Sequence, residues 1–123
     1  MKRGDVVVVV AQGDMGKPRP AVVVQADELG DVTTSVLVCP MSSDVSEAHH
    51  LRPVVPPTAR NGLRLPSQIM TDKINSLRRD RVRRVLGSLD EGTIEKLDGA
   101  LLVVLGLARS PRPPEGTLLS PGG

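Results

Sequence analysis

Val6-Val7-Val8-Val9-Val10-Ala11 is the stretch on which the reading of this chain turns. Five β-branched residues in a row, bounded by Gly4-Asp5 and by Gln12-Gly13-Asp14, describe a strand. The run does not alternate between polar and apolar, so neither face is left for water and the strand is expected to be buried on both sides. Six apolar residues are too few for a signal-peptide core or a membrane span. The protein is therefore expected in the cytoplasm, with no membrane contact.

The rest of the fold follows outward from that run. Residues 13–20 contain two glycines and two prolines and must form a loop. A second strand covers residues 21–25. Pro20 fixes its own φ and pushes Arg19 towards extended geometry, so Arg19 is held at the mouth of that strand. Residues 27–31 turn the chain into a third strand at 34–41, followed by a polar loop at 42–49. A fourth strand at 51–55 stops at Pro56-Pro57. Residues 62–65 and 68–74 read as strand pieces interrupted by Pro66, and residues 83–87 as a last strand.

A helical period then takes over. Ser88-Leu89-Asp90-Glu91 has the form of a capping box, with acidic residues crowding the first turn. Ile94, Leu97, Leu101, Val104, Leu105 and Ala108 recur at helical spacing and predict a helix of about 15–18 residues ending near Ala108. Leu102, Val103 and Leu107 widen its apolar stripe and suit burial against a second subunit. Residues 109–123 hold four prolines and three glycines, which cannot build a core and predict a disordered tail. The fold class is thus mainly β with a C-terminal helix: a domain at 1–108 of five to seven short antiparallel strands closing into a small barrel.

Composition narrows the function. Among 123 residues there is no Phe, Tyr or Trp, so the aromatic platforms on which most RNA-binding modules stack bases are excluded. The net charge of +2 is mild, yet Lys73, Arg78, Arg79, Arg81, Arg83 and Arg84 face only Asp80 within residues 73–84. Either a sheet edge is blunted by charge or the surface faces a polyanion. The single cysteine, Cys39, rules out an internal disulfide and lies in an apolar strand, as a buried structural thiol would.

Familiar catalytic signatures are missing: no HExxH, no CxxC pair, no phosphate-binding glycine loop and no GxSxG elbow. His49 and His50 are adjacent, so their side chains diverge, and no Cys or third His stands at metal-ligand spacing. No metal and no cofactor is expected. What remains is a set of isolated polar residues at strand ends: Arg19, Ser42-Ser43, Gln68 and Lys73. Each has a bland reading as well: Arg19 as a surface charge, Ser42 as a turn former, Gln68 as a hydrogen bonder at the barrel rim.

Five ordered segments carry a resemblance to a known family. Lys2-Arg3-Gly4-Asp5-Val6-Val7 looks like the opening strand of the MazF/PemK toxins. Gly16-Lys17-Pro18-Arg19-Pro20 with its following apolar strand resembles their second motif, and Cys39-Pro40-Met41-Ser42-Ser43 their third. The run from Pro66 to Ile74 resembles the fourth, and Leu86-Gly87-Ser88-Leu89-Asp90 leads into a terminal helix similar to theirs. The match runs in order from residue 2 to about residue 108.

The resemblance implies an SH3-like or CcdB-like barrel that dimerises, pairs with a cognate antitoxin and cuts single-stranded RNA at short sequence motifs. By position it implies Arg19 and Ser42 as catalytic residues, with Lys17, Ser43, Gln68 and Lys73 as RNA contacts. Serine stands where the family usually has threonine, which keeps the hydroxyl and loses the methyl that restrains its rotamer. RNA brings its own nucleophile in the 2′-OH, so a guanidinium and a hydroxyl stabilising the phosphorane suffice without a metal. Arg19 is cast as electrostatic stabiliser and acid. His49 and His50 are the remaining candidates for a base. Two alternatives stay open: a CcdB-like gyrase-poisoning module acting through its terminal helix, and a catalytically inactive member of the family.

Overall fold

The structure, a computed structural model, describes residues 1–10, 16–30 and 32–108. Among these residues there are seven strands: β1 (Asp5–Val9), β2 (Arg19–Val23), β3 (Ser35–Ser42), β4 (Val54–Val55), β5 (Ser67–Ile69), β6 (Asn75–Arg78) and β7 (Val82–Ser88). One helix follows, α1 (Glu91–Val104). The sheet runs β4-β5-β3-β2-β1-β7, with β6 also paired to β3, and every pairing is antiparallel.

The curl of the sheet follows from its connections. β3 is long enough to serve two neighbours: Ser35–Val38 pair with β6, while Met41 and Ser42 pair with β5. In the row β6-β3-β2-β1-β7 the first and last strands lie at opposite ends, yet only the turn Arg79–Arg81 joins them. Three residues cannot span a flat five-stranded sheet, whose strands are about 4.8 Å apart. The sheet therefore bends round into a half-barrel. Register shifts between Val6 and Val7 and between Val8 and Val9 on the β1–β7 ladder supply local bends.

Two apolar clusters result, one on each side of the sheet. Inside the curl, Val7, Val9, Ala21, Val23, Val36 and Val38 meet Leu77 of β6 and Val82 of β7. Outside it, Val6, Val22, Cys39, Met41 and Ile69 pack against Leu97 and Leu101 of α1. Val6, Val7, Val9 and Val10 are buried and Val8 is half-buried, because β1 lies between these two cores; Ala11 lies outside the described residues. Cys39 is fully buried, and desolvation pushes its thiol up to about 12.

The Arg-Gly-Asp opening is scaffold. Arg3 donates from Nε to the Val24 carbonyl (3.0 Å) and from Nη1 to Asp98 on α1 (2.7 Å), tying the helix to the sheet. Gly4 has φ +88°, and a Cβ there would meet Ile94 Cδ1 at 2.9 Å. Glycine is the residue that fits beneath the helix.

Several boundaries differ from expectation. Residues 62–65 are not a strand, and the fourth strand shrinks to Val54–Val55. The segment read as one strand over 68–74 is a strand to Ile69 and then a 3-10 turn at Thr71–Lys73. β6 was not foreseen, because Asn-Ser-Leu-Arg offers a single apolar residue, Leu77, to the barrel interior. The helix cap is Asp90, which accepts from the Thr93 amide at 2.7 Å, whereas Ser88 still belongs to β7. The helix also stops earlier than Ala108. Gly106 adopts φ +74°, Leu107 N–H bonds the Leu102 carbonyl and Gly106 N–H the Val103 carbonyl, which is a Schellman stop. Leu102, Leu105 and Leu107 are left 44, 54 and 72% exposed. The tail expected at 109–123 lies outside the described residues.

Candidate active site

Strand register brings Arg19 and Ser42 together. On the β2–β3 ladder Ala21 pairs with Pro40. Two residues further along each strand, in opposite directions, stand Arg19 at the start of β2 and Ser42 at the end of β3. Both line one cleft of about 420 Å³, together with Pro18, Pro20, Ser43 and Met41. Arg19 is exposed at its mouth, and Ser42 is half-buried.

The far wall comes from elements that sequence reasoning did not connect to the site. Arg84 of β7 sits opposite Val8 on the β1–β7 ladder and reaches the cleft. Leu63, Arg64 and Leu65 reach it from the loop between β4 and β5. That loop is shaped by Asn61, only 3% exposed. Its Oδ1 accepts from the Thr58 and Leu63 amides (3.0 Å each) and its Nδ2 donates to the Pro56 carbonyl at 2.9 Å. Two glycines let the loop lie against β7. Gly62 has φ +71° and its Cβ position is 2.5 Å from the Leu86 carbonyl oxygen; a Cβ on Gly87 would be 2.0 Å from that of Arg60. Arg64 carried no motif signal, and its role is visible only once the loop is folded.

Among the described residues the lining therefore holds three guanidiniums (Arg19, Arg64, Arg84) and three hydroxyls (Ser42, Ser43, Ser67), and no carboxylate, imidazole or thiol. Its floor is aliphatic, with Val8, Met41 and Leu86. Like charges around a concave site focus positive potential, which attracts anions and weakens as salt rises. Ser42 Oγ accepts from the Asp44 amide at 3.1 Å, so its proton remains available for donation.

The other candidates lie outside the lining. Lys17 is exposed, next to Pro18 at the cleft's edge. Gln68, which pairs with Ser42 across the β3–β5 ladder, is only 4% exposed; its Nε2 donates to the Asp44 carbonyl at 2.7 Å. Its Oε1 is buried without a partner among the described residues, which typically costs about 1–3 kcal/mol. Lys73 is exposed on the 3-10 turn that packs against α1 and is not brought to the cleft. His49 and His50 line a separate depression with Arg52 and Lys96. There Arg52 forks onto Asp72 (2.7 and 2.8 Å), holding that carboxyl at about 2. Among the described residues, no three His, Cys, Asp or Glu gather as metal ligands. No helix among them is long and apolar enough to cross a membrane.

Fold and cleft together define a small half-barrel with an anion-seeking site at the ends of two adjacent strands. Residues 2–105 match the family described as PemK-like, MazF-like toxin of type II toxin-antitoxin systems, and the chain belongs to that family. It is 38% identical over 109 residues to a probable endoribonuclease MazF of Mycolicibacterium smegmatis, a match covering 88% of this chain and 99% of that protein. Among solved structures it is similar to a mycobacterial endoribonuclease in complex with its cognate antitoxin (TM-score 0.75, 21% identity, 89% of this chain and 99% of that one). It also resembles a MazE–MazF structure from Deinococcus radiodurans (TM-score 0.70, 22% identity, 86% and 95%). At those identities the structural matches speak for the fold.

Proposed function

We propose that this toxin is a cytoplasmic, metal-independent endoribonuclease that cuts single-stranded RNA, mRNA included, at short sequence motifs. The observation that carries the reading is the placement of Arg19 and Ser42 side by side in one cleft. In the reaction the 2′-hydroxyl gives up its proton as its oxygen attacks the adjacent phosphorus, the P–O5′ bond breaks, and the departing oxygen takes up a proton. The products are a 2′,3′-cyclic phosphate and a 5′-hydroxyl. Arg19 forks onto phosphate oxygens and neutralises the charge that builds there. Ser42 donates a further hydrogen bond to the same group. Arg64 and Arg84 hold the flanking phosphates. Lys17 and Ser43 extend the contact at the edge, and bases are read by polar and aliphatic groups in place of aromatic ones.

Among the described residues the lining holds no carboxylate, imidazole or thiol. The exposed leucines at the end of α1 suit a second copy of the chain and hence a homodimer. A relative's structure in complex with a cognate antitoxin supports the same kind of partner here, an acidic segment covering the basic cleft. The test is direct. Purified protein incubated with a 5′-labelled single-stranded RNA in EDTA should cut it, leaving cyclic phosphate ends. Arg19→Ala should slow cleavage by about 100–1,000-fold. RNA left intact by the wild-type protein would refute the proposal.

A further inference from the structure

Gln68 is an anomaly of the core. It lies between two buried neighbours, Ser67 and Ile69, on a strand flanked by β4 and β3. An apolar side chain of the same length would fill that space without stranding an oxygen, yet Oε1 has no partner among the described residues. The amide orientation is set by chemistry, since the Asp44 carbonyl accepts only from the nitrogen. At 4% exposure the side chain is in no position to touch a nucleic acid directly.

What Gln68 holds is the turn that follows Ser42. Its Nε2 grips the Asp44 carbonyl at 2.7 Å, and the Asp44 amide donates to Ser42 Oγ at 3.1 Å. The same turn is closed at its far side by the Asp44 carboxylate, which accepts from Ser46 N and Oγ (3.0 and 2.7 Å). Residues 43–47 are otherwise exposed. A serine has no β-methyl to restrain χ1. Its hydroxyl must be aimed by something else.

We propose that Gln68 is a positioning residue for Ser42, fixing the Ser42–Asp44 turn so that the Ser42 hydroxyl presents its proton to the cleft. The reading deepens the proposed ribonuclease function and rests on it for its catalytic consequence. A lone pair of Ser42 Oγ is occupied by the Asp44 amide, which turns the hydroxyl proton away from that amide. Without the Gln68 clamp, the Asp44 amide and the Ser42 rotamer are released together.

The test uses Gln68→Met, matched in length and apolar. Amide exchange followed by NMR should show the Asp44 amide exchanging at least about tenfold faster in the variant, with the Val22 and Cys39 amides unchanged. On RNA, kcat should fall about tenfold while KM stays within about twofold, the pattern of an interaction made in the transition state. Thermal stability should not fall, because the stranded oxygen is gone. Ser42→Thr, whose methyl restrains the rotamer, should restore most of the lost kcat in the Gln68→Met background. An Asp44 amide that exchanges as in the wild type overturns the proposal. So does a raised KM with unchanged kcat, or a loss of activity that Ser42→Thr leaves in place. If the wild-type protein leaves RNA intact, the ribonuclease reading falls alone, and the Asp44 amide then decides the positioning role by itself.

Discussion

Gly87→Ala is the substitution that tests how the cleft is built. Gly87 lies in β7 with ordinary backbone angles, so alanine adds one methyl and no conformational strain. That methyl would stand 2.0 Å from the Arg60 carbonyl oxygen, 2.8 Å from the Asn61 carbonyl carbon and 2.9 Å from that of Arg60. All three are backbone atoms and cannot rotate away. Contact at a tolerable distance of about 3.3 Å requires the loop to retreat by more than about 1 Å. The Ser88 amide bonds the Arg60 carbonyl at 2.9 Å, and that bond would open. A lost backbone hydrogen bond costs about 0.5–1.5 kcal/mol. Overpacking adds about 1–3 kcal/mol, so the expected loss is about 2–4 kcal/mol. In a domain of this size that lowers Tm by roughly 10–20 °C. Urea denaturation followed by circular dichroism measures it. KM for RNA should rise as Arg64 leaves the rim. Gly99→Ala supplies a control of opposite sign. It lies on α1 with nothing within 4 Å of the added methyl, and alanine there should stabilise the helix by about 0.8–1.0 kcal/mol. A Gly87→Ala protein as stable as the wild type would refute the close-packed loop and the wall it places on the cleft.

Other expectations follow from single groups. The Cys39 thiol, fully buried and pushed up to about 12, should resist thiol reagents at pH 8 in the folded protein and react at once in 6 M guanidinium; rapid labelling of the native state would contradict its placement. Asp72, held at about 2 chiefly by the hydrogen bonds from Arg52, contributes stability above the ordinary carboxylate value and loses it as pH falls from about 4 towards 2. The effect should be small because the carboxylate is half-exposed, and Asp72→Asn should flatten that stretch of the acid-unfolding curve. His49→Gln and His50→Gln should leave the pH profile of RNA cleavage unchanged, since both rings line a depression away from Arg19 and Ser42; a lost inflection near pH 6–7 would place a histidine in the chemistry.

What the sequence revealed depended on the range over which each feature is encoded. The valine strand β1, the terminal helix and the buried Cys39 rest on local pattern, and the structure keeps all three, with the helix cap moved from Ser88 to Asp90 and its end from Ala108 to Val104. The facing of Arg19 and Ser42 needed one further step, the antiparallel register between adjacent strands, and the ends of β2 and β3 carry it. Arg64 belongs to a different class. Its place in the cleft depends on Asn61 shaping a loop and on Gly62 and Gly87, far apart in the chain, admitting close backbone contact. No period in the sequence records that contact. β6 escaped for a related reason: with one apolar residue in four, it is a strand because β3 pairs with it along Ser35–Val38. Gln68 shows the converse. A polar residue in a strand otherwise turned to the core breaks the local rule, and such breaks are expected where function outweighs stability. The break was visible in the sequence, but its meaning was not. The side chain that looked like a rim contact faces inward, and its consequence for the reaction passes through Asp44 to Ser42.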